Sequence, residues 1–392
     1  MSDQPPPVPL FLAPMAGVSD LAYRLLAREC GADFTITEFT AAAALTRRDA
    51  KSWHKVASDP RESPFIPQIF GGVADEMVHC TEMLAEVADM VDLNFGCPAP
   101  KVTRHCAGAA LMGHPEELLD MVERCVEASS VPITVKMRLG TGKGPDTVLE
   151  LASQLESLGV TRLCVHGRTL RQRYSGVADW DLIRRVVEAV DIPVIANGDV
   201  VDARSAAACI EATGAAGLMV GRAAIGRPTI FHQIKSELGW PVSPAPWETE
   251  VNGEEKPGDS DAQAHESASM QASEAKAHES AHESAHESAQ VEASGRGQAS
   301  EAKARHWAWK RYIELDDEVN PERPSRNRKR HAFAFTKGLP GGKALRTTLH
   351  QEPTPESLAE RVREFLENSE VETPESQAEG QAESQAEGQA ES

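Results

Sequence analysis

The residues of this chain most able to do chemistry are one cysteine, one lysine, one histidine and two glycine-rich turns. Cys97 stands in Asn94-Phe95-Gly96-Cys97-Pro98, between a glycine and a proline, where a cysteine that only packs gains little. At the mouth of a cavity its thiol is a nucleophile or a proton donor. A nucleophile wants a histidine base, and His105 is the nearest in sequence; the neighbouring Cys106 makes a regulatory disulfide a minor alternative. Lys136, in Val135-Lys136-Met137-Arg138, lies in an apolar run, so its ammonium has to meet an anion or bear the cost of desolvation. It fits the edge of a flavin that turns anionic on reduction, or a Schiff base with a carbonyl substrate. His166 closes a similar run. Asn197-Gly198-Asp199 and Gly221-Arg222 offer backbone N–H groups and a guanidinium that together suit one phosphate dianion.

Something has to bring these residues to one place. Between residues 8 and 240, short apolar runs alternate with longer amphipathic stretches. The runs predict strands at Pro9–Ala13, Asp33–Thr37, Phe65–Ile69, Met90–Asn94, Ile133–Met137, Arg162–His166, Pro193–Asn197 and Gly217–Val220. Helices are predicted at Pro115–Ala128, Thr147–Leu158, Trp180–Ala189 and Ala203–Thr213, the first with proline at its opening position. Eight strand–helix units in this length are the count of an α/β (β/α)8 TIM barrel, whose catalytic residues gather at the C-terminal strand ends. Nearly every such end here carries a polar or glycine-rich group. A doubly wound open sheet would favour a G-x-G-x-x-G turn after an early strand, and there is none.

The chain has 392 residues and a net charge of -20, but sixteen of the twenty excess negative charges fall in residues 248–304 and 369–392. The first of these segments repeats Ala-His-Glu-Ser and the second Gln-Ala-Glu-Gly/Ser. Neither buries enough apolar area to offset the entropy of ordering a chain, so both are expected to be disordered. The histidines of the first, His265, His278, His282 and His286, are a conceivable metal tract, and a low-complexity linker is the plainer account. The expected organisation is therefore a catalytic barrel over residues 1–245, an insert over 246–304, a small helical domain over 305–368 and an acidic tail over 369–392. In the helical domain, Arg323 to Arg346 holds eight basic residues and no acidic one, among them Arg326, Arg328, Lys329 and Arg330. Set beside Phe333 and Phe335, this is either a phosphate-facing surface or an ordinary solvated helix face.

Seven scattered cysteines without a C-x-x-C pair point to a reducing compartment, with no disulfide frame and no metal site. No apolar run is long enough to span a membrane, and the first residues show no basic-then-apolar leader, so a cytoplasmic protein is expected, monomeric by default.

Taken in order, the motifs resemble the tRNA-dihydrouridine synthase family, in particular its bacterial B-type branch. The matching stretches are Ala13-Pro14-Met15-Ala16-Gly17, Pro67-Gln68-Ile69-Phe70-Gly71, Asp92-Leu93-Asn94-Phe95-Gly96-Cys97-Pro98, Val135-Lys136-Met137-Arg138, Val165-His166-Gly167-Arg168 with Tyr174-Ser175-Gly176, Ile195-Ala196-Asn197-Gly198-Asp199 and Val220-Gly221-Arg222. They cover about residues 8–236, and the likeness resumes weakly from Arg326 to Leu366. The resemblance implies an FMN enzyme that reduces the C5–C6 double bond of uridines in tRNA, with NADPH or NADH reducing the flavin. Flavin N5 would deliver hydride to C6, and Cys97 would protonate C5. It implies flavin contacts from Pro14, Met15, Gln68, Lys136 and His166. Asn197, Gly198, Asp199, Gly221 and Arg222 would hold the phosphate end. Asn94, Arg168 and Tyr174 would meet the target base or its surroundings, and Arg326, Lys329 and Arg330 the RNA backbone. A uridine turned out of its stack costs a few kcal/mol, which phosphate contacts can offset. Two other functions compete: an FMN barrel acting on a free pyrimidine, of the dihydroorotate type, and a non-catalytic RNA-binding protein with a vestigial barrel. The first needs no basic helical module, and the second has no use for an intact Cys97 and Lys136.

Overall fold

The structure, a computed structural model, describes residues 5–144, 146–249, 282–322 and 327–371. Nine strand segments form one parallel sheet: β1 Leu10–Leu12, β2 Phe34–Thr35, β3 Thr40–Ala41, β4 Gln68–Phe70, β5 Val91–Phe95, β6 Ile133–Arg138, β7 Arg162–His166, β8 Val194–Asn197 and β9 Gly217–Val220. Their spatial order is β2-β1-β9-β8-β7-β6-β5-β4-β3. The two edge segments, β2 and β3, are consecutive in the chain. The second barrel strand is thus split: its first half pairs with β1 and its second half with β4. Between the halves, the Thr37 N–H donates to the Ile66 carbonyl (3.1 Å), so one passage of chain joins both edges. The result is the expected (β/α)8 TIM-barrel architecture; Arg162–His166 and Gly217–Val220 have the limits read in the sequence, and the other strand limits differ by at most three residues.

Side-chain parity along the strands decides what the barrel contains. Successive strand residues point to opposite faces, and on both faces of a covered parallel sheet they are buried. In β6 every residue is buried. Ile133, Val135 and Met137 pack outward on helices, which leaves Thr134, Lys136 and Arg138 for the interior. In β5 the same rule sends Asp92 and Asn94 inward. Lower in the barrel, Phe11, Ile36, Ile66, Cys164, Ile195 and Met219 form an apolar plug. Polar residues occupy the layer above it, toward the C-terminal strand ends.

The covering helices have readable limits. Pro115 opens Pro115–Ala128, the Asp179 carboxylate accepts from the Leu182 N–H to cap Trp180–Ala189, and Asp202 caps Ala203–Thr213, which ends at left-handed Gly214. Among the described residues, those up to Ser243 and within Ala308–Arg363 form one compact unit, and those within Pro244–Trp307 and from Glu364 form a second. In the first unit, Trp309 is fully buried, donates its indole N–H to the Ala359 carbonyl (3.0 Å) and packs edge-on against Phe335. His331 lies between Tyr23 of the barrel and Tyr312. A helix spans His282–Val319, so its backbone includes residues 282–304 of the expected low-complexity insert. Alanine, glutamate and glutamine are good helix formers even where no apolar face exists. Residues 246–249 of the insert form the short helix Pro246–Thr249, while residues 250–281 and the tail from 372 onward lie outside the described residues. Among the described residues no helix is long and apolar enough to cross a membrane.

Candidate active site

A cavity of about 770 Å³ opens at the C-terminal ends of the strands. Its wall includes Pro14, Met15, Asn94, Cys97, Lys136, His166, Tyr174, Asn197, Gly198, Asp199, Gly221, Arg222 and Arg330, residues from six strand ends and a C-terminal helix. Thirteen of the seventeen site residues expected from the sequence therefore meet in one place. Gln68 and Arg168 are wholly buried behind the wall, Lys329 is exposed outside it, and Arg326 lies outside the described residues.

The loop that carries Cys97 is held from three sides. The Asn94 side-chain oxygen accepts from the N–H groups of Gly96 (3.0 Å) and Cys97 (2.9 Å). The Arg138 Nε donates to the Gly96 carbonyl at 2.7 Å. Ala109 N–H donates to the Cys97 carbonyl at 3.2 Å. Burial pushes the Cys97 thiol up; the Ala99 N–H and the charges of Arg138 and Lys136 offset only part of this. The thiol is therefore protonated at neutral pH, and it is not partnered by a histidine among the described residues. His105, the sequence's candidate base, is exposed. Of the two roles left open for Cys97, this environment suits the proton donor.

Cations dominate the wall. Lys136, Arg138, Arg173, Arg222 and Arg330 face it, against one carboxylate among the described residues, that of Asp199. Lys136 donates to the Asn197 side-chain oxygen at 3.0 Å, and Asn197 in turn donates to the Met219 carbonyl at 2.8 Å. Burial lowers the Lys136 ammonium, and burial together with Lys136, Arg138, Arg168 and Arg222 lowers His166 to about 2, so this imidazole is neutral. Burial also lowers Arg138, to about 10. Cations crowded together at such cost mark a place for a polyanion.

One end of the cavity has the form of a phosphate cradle. Gly198 is left-handed (φ 125°), and a Cβ there would press on Ala178 at 2.8 Å. No described group accepts from the backbone N–H of Gly198, Asp199, Gly221 or Arg222. Arg168 grips Asp199 through both carboxylate oxygens (2.8 and 2.7 Å), while its Nη1 is buried without a partner. Burial pushes the Asp199 carboxyl up, but the bond to Arg168, the Ala178 N–H and the charges of Arg168 and Arg222 together outweigh it and hold the carboxyl below its usual value. Arg168, expected as a substrate contact, thus acts from behind: it orients Asp199 and ties the loop at Ser175 and Gly176. Tyr174 is half exposed at the rim, with the guanidinium groups of Arg222 and Arg138 at 5.1 and 5.7 Å from its ring centre.

Arg330 reaches the mouth from the helix Arg328–Phe335. It donates to the Ala16 carbonyl, and its guanidinium fills the space that a side chain on left-handed Gly17 would take. Arg328, part of the same basic run, is instead buried and paired with Asp316 and Asp317. Its charge is consumed internally, so it has no share in an external basic surface. Phe335 likewise is core. Sequence reasoning missed Arg138 and Arg173 as wall residues. Arg138 was signalled by its position two residues beyond Lys136, on the same face of the same strand. At the outer edge of the Cys97 loop, ligand atoms of Cys106, His114 and Glu117 lie within 4.8 Å of one another. The two last are exposed, and water meets their needs without an ion.

Compared with known proteins, residues 11–306 match the family model described as "Dihydrouridine synthase (Dus)". The chain belongs to the dihydrouridine synthase family. Its similarity to "Probable tRNA-dihydrouridine synthase" of Rhodobacter capsulatus is 40% identity over 232 residues, covering 59% of this chain and 72% of that one. It is 39% identical over 230 residues to "tRNA-dihydrouridine synthase B" of Pectobacterium carotovorum, covering 58% and 72%. With "Probable tRNA-dihydrouridine synthase" of Rickettsia conorii the identity is 41% over 232 residues, covering 58% and 70%. In this dihydrouridine synthase, the cavity lies within the matched segment except for Arg330, which comes from beyond it.

Proposed function

We propose that this dihydrouridine synthase reduces uridines of tRNA with bound FMN, and that NADPH or NADH renews the reduced flavin. The observation that supports this reading most is a buried, protonated thiol facing a cavity crowded with cations. The cradle at Gly198, Asp199, Gly221 and Arg222 fits the FMN phosphate, Lys136 and neutral His166 fit the flavin edge and ribityl side, and Pro14 and Met15 fit a wall against the ring. When bound, FMN supplies the hydride that adds to uracil C6. Cys97 gives its proton to C5, which completes the addition of two hydrogens across the double bond, and its thiolate regains a proton from solvent. Lys136 faces developing negative charge. Tyr174, braced by two guanidinium groups, offers a flat surface at the rim for a base turned out of the RNA. Asn94 keeps one amide hydrogen for that base after holding the Cys97 loop.

Arg330 favours RNA over a free pyrimidine. A small substrate has no need of a cation brought to the mouth from a separate helix, whereas a tRNA backbone does. Lys329 beside it, and Arg326, extend the same contact. The enzyme would work in the cytoplasm as a monomer, without a metal.

The test uses purified protein, NADPH and tRNA from a strain lacking dihydrouridine, with nucleosides read by mass spectrometry. Wild type is expected to add two hydrogens at defined uridines, and Cys97→Ala to slow this about 10²–10⁴-fold, the usual worth of a general acid. NADPH oxidation that ignores tRNA but responds to a free pyrimidine would overturn the proposal.

A further inference from the structure

Four side chains form a continuous buried chain beneath Cys97. The Thr134 hydroxyl donates to Asp92 Oδ1, and Gln68 Nε2 donates to Asp92 Oδ2 at 2.6 Å. Asn94 Nδ2 donates to Gln68 Oε1 at 2.6 Å, and Asn94 Oδ1 accepts the Gly96 and Cys97 N–H groups. The strand register brings them into line, since Gln68 is the partner of Asp92 across β4 and β5, and Asp92 that of Thr134 across β5 and β6. Asp92 and Gln68 are wholly buried and Asn94 nearly so. Neither Asp92 nor Gln68 lines the cavity.

A primary amide can be turned end for end with little change of shape, so something must decide which way Gln68 and Asn94 face. Here both ends of the chain agree. Asp92 presents an oxygen to Gln68, which must answer with its NH₂; its oxygen then faces Asn94. Asn94 must answer with its own NH₂, which leaves its oxygen for the loop N–H groups.

Building on the function proposed above, we propose that Asp92 is a positioning residue. Through Gln68 it fixes the direction of the Asn94 amide and so the place of the proton donor Cys97.

This makes a prediction that simple packing does not. Asn94→Asp puts an oxygen against Gln68 Oε1; if Gln68 turns over, the same conflict appears at Asp92. With both carboxylates ionised the chain then cannot be satisfied in either direction, and only a proton taken up by one of them would complete it. Asp92→Asn alone can be, with its oxygen toward Gln68 and its NH₂ toward the Thr134 hydroxyl. Asp92→Asn combined with Asn94→Asp permits a complete chain running the opposite way, with Gln68 reversed. All three variants keep the volume of the buried layer.

The readout is the rate at which iodoacetamide alkylates Cys97 in the full-length, substrate-free protein as purified, followed by peptide mass spectrometry, with thermal melting to show that each variant folds. Thiol reactivity reports exposure and local environment without requiring RNA. Asn94→Asp should change the rate about tenfold or more, whereas Asp92→Asn and the double variant should remain within about twofold of wild type. Equal rates for Asn94→Asp and the double variant would overturn the proposal, as would an Asn94→Asp rate equal to wild type. Restored alkylation in a protein whose wild type fails to reduce tRNA would sustain the positioning role while sinking the function proposed above.

Discussion

Cys97 is a weak acid that its surroundings keep weak. Since burial holds its thiol above the ordinary value of 9.0, the donating form prevails below that pH and is lost as pH rises through the higher, folded value. Single-turnover reduction of tRNA, measured with the flavin already reduced, should therefore be flat from neutrality to about pH 9 and fall beyond it. A rate that instead rises with pH across this range would mean that Cys97 works as a thiolate. The identity of this residue was legible from its glycine and proline neighbours, but its acidity was not, because burial depends on the packing of Val102 and Ala107 around it. The same holds for Arg168: sequence places it at a strand end, and only the fold reveals that the end turns it toward Asp199 and away from the cavity. Arg138 was legible in principle from strand parity.

At the scale of elements, the helix Arg328–Phe335 meets the barrel mouth where two left-handed glycines leave room. Gly17 (φ 71°) accommodates the Arg330 guanidinium, and Gly226 (φ 73°) lies against the Ala334 carbonyl, which a Cβ would strike. Gly226→Ala combines that clash with an unfavourable backbone and should cost about 1–3 kcal/mol in urea denaturation. It should also raise KM for tRNA more than it lowers kcat, because Arg330 is displaced while Cys97 is not. An unchanged KM would separate this helix from RNA binding. The strands and four main helices were readable from period and caps, whereas this docking was not: nothing in the spacing of Gly17 and Gly226 points to a helix a hundred residues further on. The basic run was read as one surface, and burial divides it, taking Arg328 inward and leaving Lys329 and Arg330 out.

For the whole molecule, total charge is a poor guide to partners. A chain at -20 should repel RNA, yet the cavity and its mouth collect cations, and most of the excess negative charge lies in segments remote in sequence from the catalytic motifs. Binding is thus expected to be local and strongly dependent on salt: tRNA affinity, followed by fluorescence anisotropy, should fall at least about tenfold between 50 and 200 mM salt. A flat response would place the contacts on bases and not on phosphates. The split second strand has a different kind of consequence. A ring with an unbroken circuit of hydrogen bonds has no preferred place to yield, but this one has a seam, from Ile36 to Phe39, that belongs to no strand. Glu38 sits in that seam, accepting from the Gly17 N–H at 2.7 Å and from Asn327 at 3.4 Å. The stretch of this ring outside any strand thus lies beside its own entrance, and its carboxylate holds the backbone of Gly17 on which Arg330 rests.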